Sequence, residues 1–295
     1  EDAEEAGIKA YVQRTRKRNE IRNRLKETLV KDSEIYKELR DAIYLSGKEC
    51  NDFETTYKLT LPTITFTDGL TLDMGDLKIE LVYFGPEFHS DNDIIISIPD
   101  ESVVFMGDII FPNDRYQRVT SKSDIGIWIG CLDKIVKSNS EIKSVVAYHV
   151  GVLPGKDLIA FHDSLKTMRN EQLQKKSAVV SLKEMIAASN VQDALNKFED
   201  QFLKNRNENY FIWEGDLLSL ATEYRQKEKY DEAILILKMY EEIFPNSTRP
   251  LYYQAIIFTK RGENHLAVEA CKKMLNIDPT NYYYAEMIFE LENSK

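Results

Sequence analysis

Between Glu214 and Pro279 one pattern occurs twice. Leu217, Ala221, Tyr224, Ala233, Leu237, Tyr240 and Pro245 return 34 positions later as Leu251, Ala255, Phe258, Ala267, Cys271, Met274 and Pro279. A 34-residue period is that of a helix-turn-helix unit, with small and large apolar side chains set where paired helices touch. Such a stretch can fold only by stacking helix pairs, and a third start near Tyr282 supplies one further helix. No convincing strand pattern is read after about Ser177, and MIAASNVQDALNKF before the repeat continues an amphipathic helical pattern.

Upstream the period falls to two. From Tyr57 to Phe111 the runs TITF, LTLD, LKIELVYF, IIISI and SVVFM alternate or run apolar, with turn signals at Asp68-Gly69, Gly75-Asp76 and Pro99-Asp100. A helix is expected over Ile125 to Val136, a strand over Ile142 to Tyr148 and another helix over Lys156 to Asn170, giving a mixed α/β region. At the start, Glu1 to Ala6 followed by Gly7 and IKAYV reads as a helix end, a glycine cap and a short strand. Residues 18 to 46 carry a helical stripe broken near Val30 to Ser33. The domain boundary is placed at 175/176: an α/β domain over 1–175 and an all-helical domain over 176–295, with repeats from about 214.

The chain has 295 residues, and 43% apolar content is enough to fill two cores. Its formal charge of -10 argues against a polyanionic partner, so no nucleic acid is expected, and the basic stretch Arg14 to Arg24 reads as the solvated face of a helix. Cys50, Cys131 and Cys271 form no C-x-x-C pair and read as reduced, buried side chains. No membrane span or signal peptide is visible; because the sequence opens at Glu1 without a methionine, localisation stays open between cytoplasm and periplasm.

Three potential metal ligands stand where apolar runs end: His89 after Ile79 to Phe84, Asp108 after Val103 to Met106, and His149 after Val145 to Tyr148. Loops just past strand ends hold a cation rigidly and leave one side open to substrate. A carboxylate between two apolar runs, as Asp108 is, needs a partner or a cation to offset its desolvation. Three ligands are too few for a two-metal site, since each zinc takes about four. His162 lies within a helical stretch and His265 in the turn between repeat helices, and neither reads as functional.

Two family resemblances follow from these motifs. The repeats, with Tyr230-Asp-Glu-Ala233 and Ile277-Asp-Pro-Thr-Asn281, resemble tetratricopeptide repeats, departing where Leu217 and Leu251 replace a bulky Trp and Ala221 and Ala255 replace Gly. GPEFHSDNDIIISIPDESVVFMGDIIFP and AYHVGVLPGKDLIAFHDSLKTM resemble segments of the metallo-β-lactamase superfamily, at spacings of 19 residues from His89 to Asp108 and 41 from Asp108 to His149. That resemblance implies an αββα sandwich, a hydrolase using zinc-bound hydroxide on an ester, thioester, lactam or phosphoester, and three roles. His89 would bind the first metal, Asp108 would bridge both as the catalytic carboxylate, and His149 would bind the second. The family's H-x-H-x-D-H segment has no counterpart in this sequence and by the resemblance belongs before Glu1, so the sandwich and its site are expected to be incomplete here, with a sheet face left uncovered. Tyr148 and Val150 stand where the family has glycines, and Phe88 where many relatives have a small residue. The competing expectation is a catalytically inactive scaffold that recruits a protein partner, or a second copy, through the helical repeats. A third is oxygen chemistry at a di-iron centre, separable by the identity of the metal.

Overall fold

A computed structural model describes residues 2–56, 63–83, 85, 93–109, 119–138, 141–147, 151–204 and 208–293. Contacts divide the chain into two units, one made of Glu1–Pro62 with Ala221–Lys295 and the other of Thr63–Leu220. The sequence-expected boundary at 175/176 falls inside the second unit, and the observed division cuts through a helix at Leu220/Ala221.

The chain begins with a helical hairpin, α1 (Asp2–Thr28) and α2 (Glu34–Thr55). The expected cap at Gly7 and strand at IKAYV are corrected, because α1 runs through both without interruption. One internal glycine costs only about 1 kcal/mol, less than the packing of a long helix returns. The break near Val30 to Ser33 is present: Asp32 turns at φ 65, and the Ser33 side chain accepts from the Tyr36 amide to cap α2.

In the unit Thr63–Leu220 a six-stranded sheet runs in simple order: β1 (Gly69–Asp73), β2 (Lys78–Tyr83), β3 (Ile94–Ile98), β4 (Val103–Gly107), β5 (Ser144–Ala147) and β6 (Gly151–Pro154). All neighbours are antiparallel except β4 and β5, which are parallel. TITF, expected as a strand, forms none. The helices α3 (Ile125–Ser138) and α4 (Gly155–Gln174) match the sequence expectation, and their apolar sides meet Ile95, Val104, Met106 and Val145 in a core with Trp128, Leu132, Phe161 and Leu165. Alternate residues point the other way. There the register lines up Leu70, Leu81, Ile96, Phe105, Val146 and Val152, one from each strand, and Phe105 and Val152 are 37% and 70% exposed.

After α4 comes a correction to the expectation of helix alone beyond Ser177: a two-residue parallel bridge joins β7 (Lys176–Ser177) to β8 (Tyr210–Phe211). Between them lie α5 (Ala178–Ala188), α6 (Val191–Phe198) and a π-helical turn, Glu199–Lys204. Asp216 closes this region. Its buried carboxylate accepts from the Ser121 amide at 2.9 Å, the Ser121 hydroxyl at 2.9 Å and the Ser177 hydroxyl at 3.0 Å.

From Glu214 to Asn293 the described chain is helical: α7 (Glu214–Gln226), α8 (Tyr230–Ile243), α9 (Arg249–Lys260), α10 (Asn264–Ile277) and α11 (Tyr282–Asn293). Of the apolar positions read from the sequence, Leu217, Ala221, Ala233, Leu237, Tyr240, Leu251, Ala255, Ala267, Cys271 and Met274 are buried, while Tyr224 and Phe258 are half-buried. His265, expected in a turn, is instead the second residue of α10. The reading of Arg14 to Arg24 as a solvated face is corrected in part. Arg22 is 7% exposed and its Nε donates to Glu286 of α11 at 3.1 Å, because α1 and α2 pack on α11 with Leu25, Leu39 and Ala285 at the centre of the contact. No helix among the described residues is long and apolar enough to cross a membrane.

Candidate functional site

Strand directions define one edge of the sheet. Two antiparallel steps carry β2 to β4 and a parallel step carries β4 to β5, so β2, β4 and β5 all end on the same side. In the sequence His89 follows the end of β2 by six residues, Asp108 follows the end of β4 by one, and His149 follows the end of β5 by two. Asp108 is described; His89 and His149 lie outside the described residues.

Local geometry fixes Asp108 well. The pairing of β4 with β5 shifts between Phe105 and Gly107, an irregularity of the kind that re-aims side chains beside functional sites. Gly107 takes φ +53, a conformation other residues avoid, and the Ile109 amide then donates back to the Met106 carbonyl at 3.1 Å. Met106 and Ile109 on either side are buried in the core. The Asp108 carboxylate is thus carried on a turn anchored at both ends, half-buried, with Oδ1 fully enclosed by the protein.

Among the described residues no three His, Cys, Asp or Glu side chains come together to hold a metal ion. His162 is elsewhere, buried on α4, with Nε2 3.1 Å from Asp133 Oδ1 on α3 but off the line of a hydrogen bond. Burial, with the Lys166 charge adding to it, pulls its pKa below the ordinary value, while Asp133 and Asp163 oppose the shift. It is a buried histidine on a helix, away from the strand ends. Cys131 and Cys271 are buried thiols whose pKa burial pushes up to about 11, far from the thiolate that nucleophilic chemistry needs.

Sequence reasoning missed two polar centres. Asp216 with Ser121 and Ser177, and Glu286 with Arg18 and Arg22, join residues 39 to 268 positions apart, and no local motif announces them. The helical unit also holds a cavity of about 590 Å³ among α8, α9 and α10, lined by Lys238, Glu241, Leu251, Gln254, Lys273 and Ile277 among others. Gln254, 5% exposed, occupies the place that Leu220 has one period earlier, and its Nε2 donates to Glu241 at 3.0 Å.

No family model matches the sequence. No curated protein matches it either. Solved structures do. A metallo-beta-lactamase from Pontibacter korlensis aligns over 39% of this chain and 53% of its own, at 20% identity and a TM-score of 0.28. The stereoselective inverting sec-alkylsulfatase Pisa1 from Pseudomonas sp. aligns over 80% of this chain and 43% of its own, at 13% identity and a TM-score of 0.36. A double mutant of the sec-alkyl sulfatase PisA1 gives 13% identity and a TM-score of 0.35 over the same shares. The chain thus spans about half or less of each of these three proteins, and scores this low establish neither a shared fold nor a shared activity.

Proposed function

We propose that the sheet unit carries a metal-dependent hydrolytic centre of the metallo-β-lactamase type at the edge where β2, β4 and β5 end. One observation carries this reading: three strands running the same way end on one side, and each is followed in sequence by one of His89, Asp108 and His149. Groups placed after strand ends face a common space that the sheet cannot itself fill. The substrate class is an ester, thioester, lactam or phosphoester.

Taken alone, the described residues do not make a zinc site. No three possible ligands come together among them, against the four or so that zinc takes. Asp108 suits the part of an anionic donor, because its turn is anchored in the core and its position is set before any ligand arrives. A bound zinc would lower the pKa of water and polarise the bond to be cleaved. His89 and His149 are the next two donors of the proposal.

Substituting Asp108→Asn in the full-length protein tests it, with His162→Ala as control. Zinc content by elemental analysis and the hydrolysis of p-nitrophenyl esters and phosphoesters are the readouts. The Asn variant is expected to lose metal and at least 100-fold in rate, while the His162 variant keeps both. Equal zinc content and undiminished turnover in the Asn variant would end the assignment.

A second reading, recruitment of a protein partner or a second copy by the helical unit, is favoured by helix spacing. Starts at Glu214, Arg249 and Tyr282 are 35 (249−214) and 33 (282−249) residues apart, and those at Tyr230 and Asn264 are 34 (264−230) apart. We read 214–293 as tetratricopeptide-like units on this basis, with the cavity among α8, α9 and α10 as the surface to probe. A catalytically inactive sheet unit with a partner held by these helices is the outcome expected if Asp108→Asn changes nothing.

A further inference from the structure

The contact between α1 and α11 buries a carboxylate, which the seam between α9 and α10 does not. Glu286 is 1% exposed, and its Oε1 accepts from Arg18 Nε at 2.5 Å while Oε2 accepts from Arg22 Nε at 3.1 Å and Arg18 Nη2 at 3.3 Å. The guanidinium groups then lie over rings: Arg18 is 5.0 Å from the centre of Tyr283, Arg22 5.3 Å from Tyr282, and Arg24 5.4 Å from Phe289. Below them Leu25 and Leu39 pack with Ala285.

Such a group stabilises a permanent core poorly. Arg22 and Glu286 must be stripped of water, while the Arg18 side chain keeps 41% of its exposure; well-packed apolar residues in place of the buried pair do as well or better, and what the charges supply is selection of the partner. Arginine forks over aromatic rings belong to recognition surfaces for the same reason. Elsewhere in this unit the seam between α9 and α10 is Leu251, Ala255, Ala267, Cys271 and Met274, with no charge in it. The α11 face is therefore selective for a helix presenting Arg18, Arg22 and Leu25, that is, arginines at i and i+4 and a leucine at i+7.

We propose that α11 is a docking face for an arginine-bearing amphipathic helix, that α1 occupies it in cis, and that a partner helix with the same arginine and leucine spacing competes for it. The inference needs only α1 and α11 and stands apart from the hydrolase reading. The partner is defined by its chemistry: two arginines one turn apart to share one buried carboxylate, each backed by a ring, and an apolar half-turn after them.

The test uses the full chain and a fluorescein-labelled peptide with the sequence of residues 9–30, followed by anisotropy. Arg18→Ala/Arg22→Ala weakens the cis occupant and leaves α11 intact, so this chain is expected to bind the peptide at least ten-fold tighter than the unaltered chain. Adding Glu286→Gln should return binding to background. Hydrogen–deuterium exchange on the same double variant should show α11 losing protection while α9 and α10 keep theirs. Equal peptide binding by the unaltered and arginine-less chains overturns the proposal, and so does binding indifferent to Glu286→Gln. Loss of protection in α9 and α10 together with α11 overturns it too, because the seam would then be part of one cooperative core.

Discussion

Burial of His162 disfavours its charged form, and that makes it a source of pH dependence. Its folded pKa lies below the ordinary value of about 6.5. The unfolded state therefore binds the proton first as pH falls, so the stability His162 contributes is complete above about pH 6.5 and is lost as pH drops through the folded value. Urea unfolding followed at pH 7.5 and pH 5.0 should show a larger loss for the unaltered chain than for His162→Gln; equal losses would mean that the histidine is not a neutral core group. Asp216 is a buried carboxylate with three donors around it. Asp216→Ala leaves those donors unpaired and is expected to cost about 3 kcal/mol, whereas Asp216→Asn keeps an acceptor and costs about 1 kcal/mol, both read by denaturant unfolding. Asp108 was legible at this scale because a Gly-Asp step between two apolar runs is unusual, and the structure places it on an anchored turn. Arg22 was not legible: the carboxylate that lets it be buried is 264 residues away.

At the scale of elements, two glycines make opposite forecasts. Gly155 opens α4 beside the chain leading into β5, and a Cβ there would sit 1.8 Å from the Ile142 carbonyl oxygen. Gly155→Ala must push backbone apart and is expected to cost about 2 kcal/mol or more. Gly130, on the exposed side of α3, has nothing within 4 Å of its added Cβ, so Gly130→Ala should stabilise by about 0.5 to 1 kcal/mol. Thermal unfolding of the pair checks both signs. Helices α3 and α4 and strands β2 to β5 could be read from apolar periodicity because each buries one face on a single core. The N-terminal reading failed where a local rule was outvoted: Gly7 looks like a cap only if the packing of α1 against α2 and α11 is unknown. TITF alternates like a strand but takes no place in the sheet, and alternation alone does not supply a neighbour to pair with.

For the whole molecule, the division into units predicts separable responses to damage. Leu165 belongs to the core of the sheet unit and Met274 to that of the helical unit, and both are fully buried. Leu165→Ala and Met274→Ala should each cost about 3 kcal/mol. Residue-resolved hydrogen exchange should place the first loss in β4, β5 and α3 and the second in α9 and α10. Spread of either loss evenly over both sets would argue for one cooperative body. The apolar pattern marked which residues are buried at this scale but not that the first 62 residues group with the last 75, since periodicity reports the face a helix buries and never the partner it buries it against.

That grouping has a consequence for synthesis. Arg18 and Glu286 are 268 residues apart, and at translation rates of about 5 to 20 residues per second the α1–α2 hairpin waits roughly 15 to 50 seconds for α11 to be made. During that interval the hairpin must stay soluble on the ribosome with its docking side bare. An all-apolar seam would expose an adhesive surface to every neighbouring nascent chain, whereas Arg18, Arg22 and Arg24 keep the same side wetted until their own carboxylate and rings emerge. The seam's charges, a poor bargain in the finished fold, thereby act as a solubility device for its unfinished one.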